Sequence, residues 1–131
     1  MKIWFKMDAK TKKPNKQRRR MYQSALHKKR KLLVAPIDKN IQKEVNKKSI
    51  AIRKGDTVKV MVGNHKGKSG KVEVVDYTKV KVYIKDIKTK NTSGQEKLIP
   101  FTASNLMLTN VILDDSKRIK EKKTKTPKVD N

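Results

Sequence analysis

Three runs of alternating β-branched residues constrain this chain more than any other feature. In "DTVKVMV", Val58, Val60 and Val62 face one way, with Lys59 and Met61 opposite. "KVEVV" sets Val72 and Val74 against Lys71 and Glu73, and "KVKVYIKDI" sets Val80, Val82 and Ile84 against Lys81, Tyr83 and Lys85. Side chains of a strand alternate between faces, so this patterning predicts half-buried antiparallel strands. "KLIPF" and "NLMLTNVIL" predict one or two more, with Pro100 confining the first to an edge or a bulge. Residues 89–97, "TKNTSGQEK", read as a polar hairpin loop around Gly94. About five short strands in residues 49–115 suit a small barrel that closes to remove its edges, so the fold expected is mainly β.

Between the first two runs lies "GNHKGKSGK", which holds three of the chain's 5 glycines. Gly63 and Gly67 permit positive φ, and Gly70 is expected to bend into the next strand, where a Cβ would clash. Backbone amides pointing outward among Asn64, His65, Lys66, Lys68 and Lys71 would make a seat for a phosphate backbone. A flexible, lysine-rich hairpin loop is the plain alternative for that stretch taken alone.

Charge decides what such a loop would meet. The chain has 131 residues with 36 Lys and Arg against 12 Asp and Glu, a formal net charge of +24. Folding does not need that excess and self-repulsion opposes it, so it implies a polyanionic partner. Residues 1–48 carry 17 basic against 3 acidic residues, residues 49–115 carry 12 against 7, and residues 116–131 carry 7 against 2. The chain thus reads as a basic arm (1–48), a nearly balanced middle (49–115) and a basic tail (116–131). With no cysteine, disulfides, thiolate metal sites and cysteine nucleophiles are excluded. No apolar run approaches the ~20 residues of a membrane span, and "MKIWFK" is too short for a signal-peptide core. An intracellular, soluble protein is expected.

The arm groups Lys16 with Arg18, Arg19 and Arg20, and then Lys28, Lys29, Arg30 and Lys31, around a thin apolar patch of Met21, Tyr22, Ala25 and Leu26. That apolar content is too small to offset the entropy of ordering, so the isolated arm is expected to be mostly disordered. "PIDKNIQKEVNKK" differs: Ile37, Ile41 and Val45 recur at helical spacing, and Asp38 suits an N-cap, predicting a short helix near 38–47 that docks on something.

"RKGDTVKVMVGNHKGKSGKVEVVDY", Arg53 to Tyr77, resembles the KOW motif, a strand, a glycine-basic loop and a second strand closed by Gly70 and Val72. "KQRRRMYQSALHKKRKLLVAPIDKNIQKEVNKKSIAIRKGD" upstream and "SNLMLTNVILDDSKRIKEKK" downstream are similar to the extensions of the universal large-subunit ribosomal protein twenty-four family, in its archaeal and eukaryotic branch. The resemblance covers residues 16–123. It implies an SH3-like barrel and a structural protein of the large ribosomal subunit. Such a protein binds large-subunit ribosomal RNA, acts early in subunit assembly and lies near the nascent-chain exit in the cytoplasm. Its implied partners are ribosomal RNA, neighbouring ribosomal proteins and exit-site factors. No cofactor or metal is implied. Ala51 departs from the family's frequent proline before "RKGD".

His27 and His65 are the only histidines, 38 residues apart and each among lysines, so RNA contact is favoured over a metal site. Arg53 and Lys54, at the foot of the KOW unit, join the expected RNA-contacting set with Gly67 and Gly70. Tyr22 either stacks on an unpaired base or packs on Leu26 one helical turn away. Tyr83 and Met61 are expected to pack against the arm helix. Trp4 and Phe5 read as a local anchor or as disordered, and Asp114-Asp115 as a helix start before Ser116. No nucleophile-base combination or nucleotide loop appears, so an enzyme is not expected. The alternatives are a KOW transcription elongation or antitermination factor and a membrane-surface basic protein. The second would need a bulky apolar stripe that the arm lacks.

Overall fold

The alternating runs and their flanks form seven strands among the described residues, 11–115 and Arg118 of this computed structural model. The expectations for Trp4 and Phe5, and for a short helix in the tail, lie outside the described residues. Two helices come first, α1 (Pro14–Gln23) and α2 (Leu26–Arg30). Next, β1 (Val34–Pro36) pairs antiparallel with β2 (Ser49–Ala51), and α3 (Lys39–Val45) lies between them in sequence. Then β3 (Thr57–Val60), β4 (Ser69–Asp76), β5 (Lys81–Lys90), β6 (Glu96–Phe101) and β7 (Leu106–Asn110) make an antiparallel sheet in the order β6-β5-β4-β3-β7.

The order leaves β6 and β7 as the two edges, so pairing does not close the sheet into the barrel that was expected. Pro100 lies in β6 and has no N–H to donate, which suits an edge. A 3₁₀ turn, Ala103–Asn105, joins the two edge strands directly.

Val58, Val60, Val72, Val80, Val82 and Ile84 are all buried, as alternation demands. Two valines depart. Val62 is 59% exposed because β3 stops at Val60 and the loop has begun. Val74 is 45% exposed because the β4–β5 register shifts between Val72 and Val74 and turns it outward; Val75 packs on the core instead. The hairpin loop is also narrower than 89–97. Thr89 pairs with Lys97 and Lys90 with Glu96, and the turn is closed by the Asn91 N–H on the Gln95 carbonyl at 3.0 Å.

The turn from β4 to β5 is built on Asp76. Its carboxylate accepts the N–H groups of Thr78 and Lys79 at 2.9 and 3.0 Å, and Val80 follows with φ +57°. A β-branched residue in the left-handed region costs about 1–3 kcal/mol, offset here by burying the Val80 side chain.

One core unites both ends of the described chain. Leu33, Ala35, Ile37 and Val45 from the basic segment join Leu106, Leu108 and Val111. The folded unit therefore begins well before residue 49. Helix α3 is the docked helix of the sequence reading: Asp38 Oδ1 accepts the Lys39 N–H at 2.7 Å, and Asn46 ends the helix at φ +51°. Its apolar stripe packs beside β7, where the Asp38 N–H donates to the Leu108 carbonyl at 2.9 Å.

Candidate nucleic-acid interface

Helix α1 starts on Pro14, which presets the first turn, and continues through Lys, Gln and Arg, all good helix formers. It buries no residue. The arm is thus helical where disorder was expected. The physical premise stands, since no apolar contact supports the helix. Lys16, Arg18, Arg19 and Arg20 are all exposed on it. Tyr22 is 72% exposed and Leu26 60% exposed. Leu26 belongs to α2, beyond the extended residue Ser24, so the single helical turn needed for Tyr22–Leu26 packing is broken.

Helix α2 ties the arm to the sheet. Lys29 is buried, and its Nζ donates to the Thr78 carbonyl at 3.1 Å. Lys29 therefore acts as an anchor, whereas the sequence placed it among the RNA contacts. His27, Arg30 and Lys31 are exposed and Lys28 is half-buried around it.

The glycine loop also departs from expectation. Gly63 and Gly67 take φ +101° and +89° as foreseen. The amides do not all face outward. Lys66 N–H donates to the Gly63 carbonyl, Gly67 N–H to Val60 and Lys68 N–H to His65, at 2.8–3.1 Å. The loop partly closes on itself, leaving the side chains of Asn64, Lys66 and Lys68 exposed. His65 turns the other way. Its ring meets Phe101 edge-on, 6.1 Å between centroids, which anchors the loop to β6.

Gly70 is not in the loop and does not have positive φ. It lies in β4 opposite Val58, and a Cβ there would stand 2.6 Å from Ile84 Cγ2 and 2.9 Å from Asp86 Oδ2. Close approach between strands requires glycine at this position.

At the other end of β3, Arg53 and Lys54 open a turn whose Gly55 has φ +96°. Lys54 is exposed, but Arg53 bonds Asp115 at 2.6 Å; the helix expected to start after Asp115 lies outside the described residues. Behind this turn is a pair that sequence reasoning missed. Asp56, fully buried, is held by Arg118: Nη1 reaches Asp56 Oδ1 at 2.9 Å and Nη2 reaches Oδ2. Arg118 also donates to the carbonyls of Ile112 and Ala51, both at 3.0 Å. The Arg53 N–H completes the site on Asp56 Oδ2 at 2.9 Å. No local period links residues 62 apart, so nothing in the sequence pattern announced this clamp.

The expected contact residues therefore fall into separate groups. Lys29 of α2 lies at the β4–β5 turn, Lys54 and exposed Lys71 lie at the start of β3, and the glycine loop lies at its end, four residues on. Tyr83, expected to pack on the arm helix, instead lines an open groove of about 700 Å³ between β5 and β6, with Lys79, Lys81 and Lys97. Among the described residues no three His, Asp or Glu side chains gather as a metal site, and no helix is long and apolar enough to cross a membrane.

Exposed cations on an unburied helix and a lysine loop, around a small antiparallel sheet, define a mainly β protein with a strongly basic surface. Residues 11–124 match the family model that groups the eukaryotic L26 ribosomal proteins with their archaeal L24 counterparts. The chain belongs to this family of large-subunit ribosomal proteins, which are structural components of the translation machinery. The match lends no support to the elongation-factor alternative.

Proposed function

We propose that this protein binds large-subunit ribosomal RNA through α1, the exposed residues of α2 and the glycine loop. On this reading it contributes to early subunit assembly, sits near the nascent-chain exit among neighbouring ribosomal proteins, and works in the cytoplasm. The fold is taken as SH3-like, with the bent five-stranded sheet standing for the KOW barrel. The observation that carries the proposal is α1. A helix with no buried residue gains nothing from packing within this chain, and its exposed Lys and Arg side chains need phosphate to offset their mutual repulsion.

The test is sedimentation of native lysate together with RNA binding by the full-length protein. Co-migration with large subunits, lost at high salt, is expected. Replacing Arg18, Arg19 and Arg20 with glutamine should flatten the log–log salt dependence of binding by ~0.7–0.9 for each phosphate contact removed. Equal affinity and equal slope would sink the arm as a binding element.

A further inference from the structure

The β5–β6 groove is used by none of the functions described above. It is lined by Lys79, Lys81 and Lys97, by Tyr83 and Pro100, and at its far end by Thr89 and Asn91. Its shape follows from an irregularity in the sheet. Tyr83 pairs with Pro100 and Lys88 with Leu98, so Ile84 to Ile87 stand opposite the single Ile99. The extra residues bend β5 sharply along the groove. No lining residue is acidic. The nearby acids are engaged: Glu96 bonds Lys88 at 2.9 Å and with Glu73 and Asp86 raises the Lys88 pKa, while Asp76 accepts the Thr78 and Lys79 N–H groups.

We propose that this groove seats an unpaired RNA nucleotide, its base on Tyr83 and Pro100 and its phosphates on Lys79, Lys81 and Lys97. The inference rests on the RNA-binding reading above and deepens it. Two observations favour a nucleotide. The lining combines the Tyr83 and Pro100 rings with the apolar side chains of Leu98 and Ile99, on which a base can stack, with three lysines in the same groove, of which Lys81 also donates to Thr102 Oγ1 at 3.0 Å. The volume also lies within the ~300–1,000 Å³ typical of sites for small ligands, too small for a duplex. The groove is continuous with the arm as well. Lys29 anchors α2 on Thr78, and the next residue, Lys79, is the first cation of the groove. Exposed Lys79 thus stands one residue from the point where the arm is anchored. Thr89 and Asn91 supply donors and acceptors for a base edge.

The probe is a short oligouridylate, titrated against the full-length protein at salt high enough to suppress the phosphate contacts of the arm. Tyr83→Leu should weaken binding about tenfold, and Tyr83→Phe should retain it. Ultraviolet cross-linking should mark the peptide carrying Tyr83. If Tyr83→Leu fails to fold, the pair Lys79→Gln and Lys97→Gln decides, since both lysines are exposed. Those changes should lower affinity and flatten the salt slope by ~0.7 for each contact. Unchanged binding in the variants overturns the proposal. So does equal competition by polyglutamate of matched charge, which would make the groove a general acidic-peptide site. Sedimentation separates this outcome from the broader one. A protein that joins large subunits while Tyr83→Leu binds like the parent loses the groove alone. A protein that stays off subunits while its oligouridylate binding still depends on Tyr83 loses the ribosomal role and keeps the groove.

Discussion

The two glycine-basic turns that bracket β3 begin from nearly the same chemistry and end in opposite states. The turn at Arg53–Asp56 and the loop at Gly63–Lys68 each hold a glycine at positive φ beside cations. In the first, nearly every polar group is engaged within the fold. Arg53 is paired with Asp115, Asp56 is enclosed by Arg118, and a Cβ on Gly55 would meet Ile112 Cδ1 at 2.9 Å. In the second, a Cβ on Gly63 or Gly67 would meet nothing within 4 Å, and no carboxylate among the described residues lies within ion-pair reach of Lys66 or Lys68. Positive φ thus serves packing at one end of the strand and leaves exposed cations at the other. Glycine and lysine alone do not tell the two apart. The presence of an acid does, because a buried carboxylate recruits the cation inward.

The largest expected effect tests the enclosed turn. Arg118→Ala leaves Asp56 buried without its partner, which should cost about 3–5 kcal/mol, a large part of the stability of a small domain. The double variant Asp56→Ala with Arg118→Met removes both charges and should recover much of that loss in thermal or denaturant unfolding. A double variant as unstable as the single one would show that the clamp matters through packing, with charge of little account.

A smaller effect separates close approach from turn geometry. Gly70→Val forces its side chain into Ile84 and the Asp86 carboxylate, and an overpacked site of this kind costs about 1–3 kcal/mol. Gly70→Ala should cost less but remain destabilising, because the Cβ itself is within 2.6 Å of Ile84. A Gly70→Ala protein that melts like the parent would remove the close-approach argument.

The smallest effect on stability belongs to the open loop. Lys68→Ala should change unfolding by no more than ~0.5 kcal/mol, as surface substitutions away from packed features do. RNA affinity should fall, and the loss should shrink as salt rises. Unchanged affinity would reduce the loop to a spacer and erase the functional half of the comparison.

How much of this was legible in the sequence depends on the range of the force involved. Alternation at Val58 and Val60, and at Val82 and Ile84, is a local consequence of the pleat and appears in the structure as read, whereas Val80 is buried from a left-handed turn position. Val62 and Val74 were misplaced because a loop start and a register shift interrupt the period without changing residue type. Helix α3 was visible from its stripe and its cap, while α1 was hidden because propensity without burial leaves no apolar period. The glycine cluster gave positive φ at Gly63 and Gly67 and a Cβ clash at Gly70, but the atoms Gly70 would strike, Ile84 and Asp86, belong to a strand neighbour that the local sequence does not contain. The arm and loop lysines were singled out from charge alone, and the structure leaves Lys16, Lys31, Lys66 and Lys68 exposed. Tyr83 was noticed on the outer face of β5, but only the β6 register reveals the groove it lines.

The clamp between Asp56 and Arg118 also has a timetable. The two residues are 62 apart, so at ~5–20 residues per second roughly 3–12 s pass between the synthesis of one and the other. Throughout that interval the Asp56 carboxylate is without its guanidinium partner, and for most of it β3 also lacks the β7 neighbour that pairs with it from Thr57 to Val60. Helix α1 waits for none of the strands, since none of its residues is buried among the described residues. Its cationic surface is complete while the rest of the domain is still being made, so an emerging chain can engage a polyanion before its own fold is locked.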